Sequence, residues 1–396
     1  MERNEKNTFT HSLILLLSIT CGVVVANMYY IQPIGTKVAA SLSVSTSAIG
    51  ILTMLTQLGY ALGLLLLVPL GDVVDRPKLI IRMAALSAIS LLAAFFAPSF
   101  TLFACASFLI GLLSIVPQII IPYGAVLAGP KARGKVMGTL LSGLLVGILL
   151  SRTVSGIVAS LFSWRMIYLF ALVMVALLTG LLYWKMPRTQ TVKKTSVSYF
   201  DSLRSLPHLV KSQRLLREAS ISGFFMFGTF SIFWSTLIFY ISSPVYRWGT
   251  FEAGILAVFG LSGAIAAPIV GRLADSYSEK KIVSMGLVMQ TISFIALLIA
   301  GSHLAVLLFA IILLDVGNQF GQVANQTRVQ GLGEAASNRN NTVFMFMYFI
   351  GGATGSLLGT TMWQHAGWLG VTSIGIAFQL AAFFFQYVVF REKKSN

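Results

Sequence analysis

The feature that most constrains this chain is a succession of apolar runs of about 20 residues, the length a helix needs at ~1.5 Å rise per residue to cross a hydrocarbon core of ~30 Å. Runs of low charge bounded by charge clusters, glycine or proline give twelve candidate helices, at roughly 11–34, 48–70, 79–97, 101–128, 137–160, 165–184, 219–243, 251–271, 281–301, 304–326, 341–361 and 367–390. A barrel strand needs only ~9–11 residues in strict alternation, whereas these segments are longer and apolar all round, so they read as helices. Composition excludes a water-soluble fold: 56% of the 396 residues are hydrophobic and 10% charged, against about 45–50% and about 25% in a soluble domain. The first run follows a charged N-terminus as a signal peptide does, but it exceeds the ~7–15 apolar residues of one and reads as a retained span.

The net charge of +16 would point to nucleic acid in a soluble protein, and its distribution excludes that partner. All but four of the 28 basic residues fall at the termini or in alternate connections, among them Arg76, Lys78 and Arg82, Lys131 to Lys135, the segment Lys185 to Arg217, and Arg328 and Arg339. The exceptions are Lys37, Arg165 and Arg247 in the opposite loops and Arg152 inside a span. Cytoplasmic loops hold the Lys and Arg of membrane proteins, so both termini are expected in the cytoplasm, with the basic loops against anionic lipid. The long polar segment predicts three parts: a bundle over 1–184, a cytoplasmic linker over 185–218 with a short interfacial helix near Tyr199 to Leu209, and a second bundle over 219–396.

The halves repeat. Gly71 to Arg76 reads G-D-V-V-D-R and Gly271 to Ser276 reads G-R-L-A-D-S, with Gly and Asp recurring at an offset of 200. Gly147, Ser151, Ser155 and Trp164 correspond to Gly351, Gly355, Gly359 and Trp368 at an offset of 204. Paired halves are a transporter architecture, in which one bundle rocks against the other around a site near the midplane. The expected fold is therefore an all-α membrane protein, with twelve transmembrane helices in two pseudo-symmetric six-helix bundles.

These residues resemble the major facilitator superfamily, marked by G-x-x-x-D-R/K and further basic residues between spans two and three. Gly71, Asp75, Arg76 and Lys78 match it, and Gly271 and Asp275 form its weaker echo. This loop is about two residues shorter than the family's and carries Pro77 where a Gly usually follows. The resemblance implies that Asp75 braces the cytoplasmic ends of the halves and helps switch between states. Asn27-Met28-Tyr29-Tyr30-Ile31-Gln32-Pro33, Pro117-Gln118, the run Gly147 to Gly156, and Asp315 with Asn325 to Arg328 resemble a bacterial branch of drug and sugar exporters. That branch implies proton-exchanging efflux from the inner membrane, with no cofactor, by a monomer. One departure is in span five, where Ser151, Arg152 and Ser155 replace the Gly, Pro and Gly of the usual exporter motif. Spans one, four, seven and ten line the family's cavity. Here they carry Asn27, Tyr30 and Gln32; Gln118; Trp234 and Tyr240; and Asp315, Gln319 and Gln322.

An ionisable residue inside a span costs about 2.5–3.5 kcal/mol on insertion scales, so each needs a reason. Asp315 lies roughly 16 Å from the outer end of its helix and Arg152 roughly 22 Å from the inner end of its own, which in a ~30 Å core puts the two backbones within about 10 Å in depth, a gap that a snorkelling arginine side chain can largely cover. Gln319, Gln322 and Gln326 follow Asp315 at i+4, i+7 and i+11 on one helical face, which must meet protein or a water-filled cavity. Two readings remain open. Asp315 takes up and releases the coupling proton, or it forms a static contact with Arg152 or an amide that holds helices together; Arg152 in turn reads as its charge partner, as a group that binds a substrate anion, or as a structural tie to backbone carbonyls.

Gly129 to Val136 nearly spells a phosphate-binding loop, but Val136 stands where the magnesium-binding hydroxyl belongs and the segment joins two spans, so ATP-driven pumping is not supported. Cys21 and Cys105 lack metal-ligand spacing, and the four histidines are scattered, so no metal site is expected. The function read from the sequence is a secondary transporter of a small molecule and protons, most simply an exporter of drugs, sugars or metabolites. Proton-coupled uptake is the alternative, and a many-span receptor or intramembrane enzyme is a different class for which no nucleophile and base were found.

Overall fold

The computed structural model describes residues 11–186, 199–273, 276–333 and 336–391. Every regular element among them is helical, as lipid demands, because a helix satisfies its own backbone donors and acceptors. Eleven stretches are long and apolar enough to cross a bilayer: His11–Leu42, Thr46–Gly71, Arg76–Phe96, Phe100–Gly129, Ala132–Leu161, Met166–Lys185, Arg214–Ser242, Thr250–Leu273, Glu279–Ala300, Leu304–Gln330 and Ser337–Val389. The last is broken at Gly367, whose φ of 55° and ψ of −146° are not helical. It therefore holds spans 11 and 12, at 337–366 and 368–389, and makes twelve crossings among the described residues. Large apolar side chains such as Ile89, Leu177, Ile265 and Ile299 stay exposed on the outside, where a bilayer covers them. The protein is an integral, multi-pass membrane protein of the two-bundle class expected.

Local chemistry sets the ends. Ser45, Asp75 and Ser99 accept from the backbone N–H of Ala48, Lys78 and Leu102, each at 3.4 Å, satisfying donors that the first helical turn leaves open. Two spans differ from the expectation. Span 1 runs on to Leu42 rather than stopping near 34, because it is two helices, His11–Ala26 and Ile31–Leu42. Between them Asn27, Met28 and Tyr29 donate three residues back, to Val24, Val25 and Ala26. Span 8 divides likewise at Gly260, between Thr250–Phe259 and Leu261–Leu273.

The duplicated glycines do the same work in each half. In span 5 a Cβ added at Gly147 would lie 2.1 Å from the Gly22 carbonyl of span 1. In span 11 one added at its counterpart Gly351 would lie 2.0 Å from the Phe224 carbonyl of span 7. Bare backbones thus let these helices touch, the usual device where lipid supplies no hydrophobic drive. Between the halves, span 5 meets span 8, where Thr153 Oγ1 donates to Gly254 O at 2.9 Å. Span 2 meets spans 7 and 11, where Gln57 Nε2 donates to Ser231 Oγ at 3.4 Å and Ser356 Oγ at 3.3 Å.

The expected interfacial helix is present as Tyr199–Ser212, with Pro207 inside it. It straps the basic face from one half to the other: Tyr199 OH donates to Leu66 O at 2.9 Å, and Arg339 of span 11 donates to Ser205 Oγ at 2.9 Å.

Candidate substrate cavity

A cavity of about 730 Å³ lies between the halves. Its mouth carries Arg76, Arg133 and Arg339 with Ser202 and Leu203 of the strap helix, so it opens at the face that bears the basic loops. Its walls include Gln118, Ile148 and Leu149 from one half and Gln319, Gln322 and Tyr348 from the other. Tyr29, Arg152, Phe230 and Asp315 line its deep end. The opposite face is shut. There a Cβ added at Gly35 of span 1 would lie 3.3 Å from the Phe239 ring of span 7, and one added at Gly156 of span 5 would lie 2.3 Å from the Thr250 carbonyl of span 8; Lys37 with Ala159 and Tyr240 with Trp368 tie each half within itself.

Arg152 is 1% exposed and closely held. Its Nε donates to Gln32 Oε1 at 2.6 Å, an acceptor that the break in span 1 places at the head of the resumed helix. Its guanidinium lies 4.3 Å from the Trp234 ring centre, 4.9 Å from that of Tyr29 and 5.5 Å from that of Phe230, contacts that attract a cation electrostatically. Behind it is a void of about 10 Å³, lined by Gln32, Pro33, Trp234 and Leu237. Arg152 therefore stands between the large cavity and this small space.

Asp315 is 5% exposed and comes from span 10 in the other half. Electrostatic contacts join its carboxylate to Arg152 and to the Trp234 indole N–H. None becomes a hydrogen bond through Oδ2, which is buried without a partner, as are Trp234 Nε1 and Arg152 Nη2. Span 8 leaves room for the carboxylate where it breaks, since a Cβ at Gly260 would lie 3.1 Å from Asp315 Oδ1.

The sequence candidates separate into groups. Arg152, Asp315, Gln118, Gln319 and Gln322 line the cavity. Gln118 Nε2 donates to Tyr60 OH at 3.1 Å, and Gln322 Oε1 accepts from Tyr348 OH at 3.1 Å. Gln32 and Trp234 act one layer back, on Arg152. Asn27, Tyr30 and Tyr240, like Gln32 and Trp234, are not among the residues that line the cavity. Asn27 is buried in the break of span 1 with both amide atoms unpartnered. Tyr30 is buried, and its carbonyl accepts from Ser155 Oγ at 2.6 Å. Tyr240 belongs to the closed far face. The tyrosine of the pair that reaches the cavity is Tyr29, since neighbouring helical residues point about 100° apart.

In the switch loop, Asp75 caps span 3 and its Oδ2 lies 3.8 Å from Lys78 Nζ, while Arg76 Nε donates back to Gly71 O at 2.8 Å. Gly271 lies in the last turn of span 8 itself, with open space where a side chain would go, and Asp275 lies outside the described residues.

Several residues escaped the sequence reading. Asn318, one turn from Asp315, donates to Tyr348 OH at 3.1 Å, and Tyr348 stacks on Phe227 at 4.1 Å. Nearer the basic face Glu218 pairs with Arg328 Nη2 at 2.9 Å and Lys280 Nζ at 3.5 Å. A carboxylate immediately before the expected start of span 7 was available as a signal, but its partners lie on spans 9 and 10.

The profile described as Major Facilitator Superfamily matches residues 17–356 and 252–396. An uncharacterized transporter of Escherichia coli, YgaY, is 37% identical over 369 residues, 93% of this chain and 93% of its own. Among solved structures, a bacterial homolog of the human lysosomal transporter Spinster, inward-facing and occupied, superposes with a TM-score of 0.78 at 14% identity, covering 98% of both chains. The nucleoside transporter NupG superposes with a TM-score of 0.75 at 15% identity, over 96% of this chain and all of its own.

Proposed function

The chain belongs to the major facilitator superfamily of transporters, and from that premise we propose that it exports small amphipathic molecules in exchange for protons. The halves 1–184 and 219–396 rock about the 185–218 linker. With the basic loops in the cytoplasm, both termini lie there too and the cavity loads from inside the cell.

One observation carries the reading: a buried carboxylate and a buried guanidinium, Asp315 and Arg152, come from different halves to the deep end of one cavity. Protonating Asp315 removes the charge that attracts Arg152 across the seam between the halves. A proton then shifts the balance between inward-open and outward-open arrangements, which it can do only by binding one of them better. A static tie supports the arrangement less well, because it would bring Nη2 and Oδ2 together and both are left unpartnered.

The test is reconstitution into vesicles with an imposed pH difference, following proton movement with an internal pH dye while drugs, sugars and amino-acid derivatives are supplied. Substrate entering on the basic-face side should drive protons the other way. Asp315→Asn should abolish pH-driven movement. Retention of pH-driven transport by that variant would remove the proton role. Deleting the gene separates directions, since loss of an exporter sensitises cells to its substrate and loss of an importer protects them.

A further inference from the structure

The opposite charges at the deep end of the cavity are held apart. An arginine and a carboxylate free to meet adopt a two-pronged pair, and burying them apart forgoes that compensation. Here the guanidinium is committed elsewhere: Nε is bound to Gln32 at 2.6 Å, and the group is flanked by the rings of Trp234 and Tyr29. Nη2 is left with no partner. Across the seam Asp315 keeps Oδ2 unpartnered, while Gly260 leaves room for Oδ1. Both residues are more than nine-tenths buried, and both border the same cavity.

We propose that the substrate is an amphipathic zwitterion, whose carboxylate or similar oxyanion binds Arg152 Nη2 and whose ammonium binds Asp315. Its apolar body lies along Phe230, Ile148 and Leu149 of the cavity wall. This deepens the exchange reading and rests on it. A proton and an ammonium compete for the same carboxylate: the incoming ammonium displaces the proton from Asp315 to water and keeps its own protons. A monocation would leave Arg152 unanswered, and a simple acid would leave Asp315 so. A site with buried polar groups discriminates strongly against a ligand that cannot satisfy them.

The test uses the full chain in lipid nanodiscs and calorimetric binding of matched trios: phenylalanine, phenethylamine and 3-phenylpropionate; leucine, isoamylamine and 4-methylpentanoate; tryptophan, tryptamine and indole-3-propionate. In at least one trio the zwitterion should bind about tenfold or more tighter than both partners, the effect of one lost charged hydrogen bond. Arg152→Gln should reduce zwitterion binding to the level of the amine, and Asp315→Asn to the level of the acid. The comparison within each trio needs no variant, so a variant that fails to fold does not blunt it. Equal or better binding of the amine or the acid in every trio overturns the proposal. Proton exchange driven by other compounds without zwitterion preference overturns it while the exchange reading stands. Zwitterion preference with no accompanying proton movement upholds the substrate class and overturns the exchange.

Discussion

Half-buried Arg328 and buried Arg152 are held in opposite ways, the contrast expected if one charge serves the fold and the other transport. Arg328 is neutralised in contact with Glu218 at 2.9 Å, with Lys280 at 3.5 Å on the same Oε1. Glu218→Gln would remove the carboxylate that faces Arg328 near the basic face and should destabilise the protein by about 3 kcal/mol. A lowered midpoint in thermal unfolding reads this, with part of the loss restored by adding Arg328→Gln; an unchanged midpoint defeats it. Arg152 instead makes one charge-assisted bond to an amide and leaves one nitrogen free. Arg152→Lys keeps the charge but loses the planar fork. Vesicle transport should fall about tenfold or more, the effect of about 1.4 kcal/mol, while the unfolding midpoint moves less than in Glu218→Gln. Normal transport by Arg152→Lys would show that a point charge suffices. Both members of the Arg152 and Asp315 pair were legible in the sequence because a charge inside an apolar run is conspicuous. Glu218 was not, because it lies where a run begins and its partners are more than 60 residues away.

Among the elements, the helices were legible and their interruptions were not. Span ends follow from charge clusters, Ser and Asp caps and glycine, all of them local. The break over residues 27–30 removes no apolar residue from the pattern, so hydropathy runs straight through it. Yet that break offsets the resumed helix and carries Gln32 to Arg152, and the break at Gly260 makes room for Asp315. The exchange of Tyr30 for Tyr29 at the cavity has the same origin, since the helical phase cannot be carried through an unseen interruption. Repeated glycines were visible, but their partners were not. Those partners give a prediction at this scale. Gly147→Val would place a branched side chain against the Gly22 backbone, where even a Cβ would lie 2.1 Å from its carbonyl. Spans 1 and 5 must then separate, at a cost of about 1–3 kcal/mol. The variant should show a lower unfolding midpoint and a smaller monodisperse fraction in detergent. Gly180→Val, with open space around its Cα, is the control, and equal behaviour of the two would refute close helix contact as the reason for the glycine pattern.

For the molecule as a whole, the halves meet at the far face and part at the basic face, so transport requires the far contacts to open. Span 2 against span 11 is the contact most open to a direct test. A Cβ built at Gly50 would lie 2.8 Å from that of Thr360, and a disulfide needs about 3.8 Å, so a slight separation of the helices admits the bridge. Gly50→Cys with Thr360→Cys should cross-link on mild oxidation and hold the cavity open at the basic face. Exchange across vesicles should stop and return on reduction, while binding from the basic-face side persists in both states. Each single variant controls for the native thiols, Cys21 being buried and Cys105 exposed. Two outcomes are instructive because they sort the motions apart. If oxidation abolishes binding as well as exchange, the bridge has distorted the site rather than locked it. If the oxidised protein exchanges at the normal rate, the far face does not open by separating spans 2 and 11, and the rocking of one six-helix half against the other is the wrong description of its cycle.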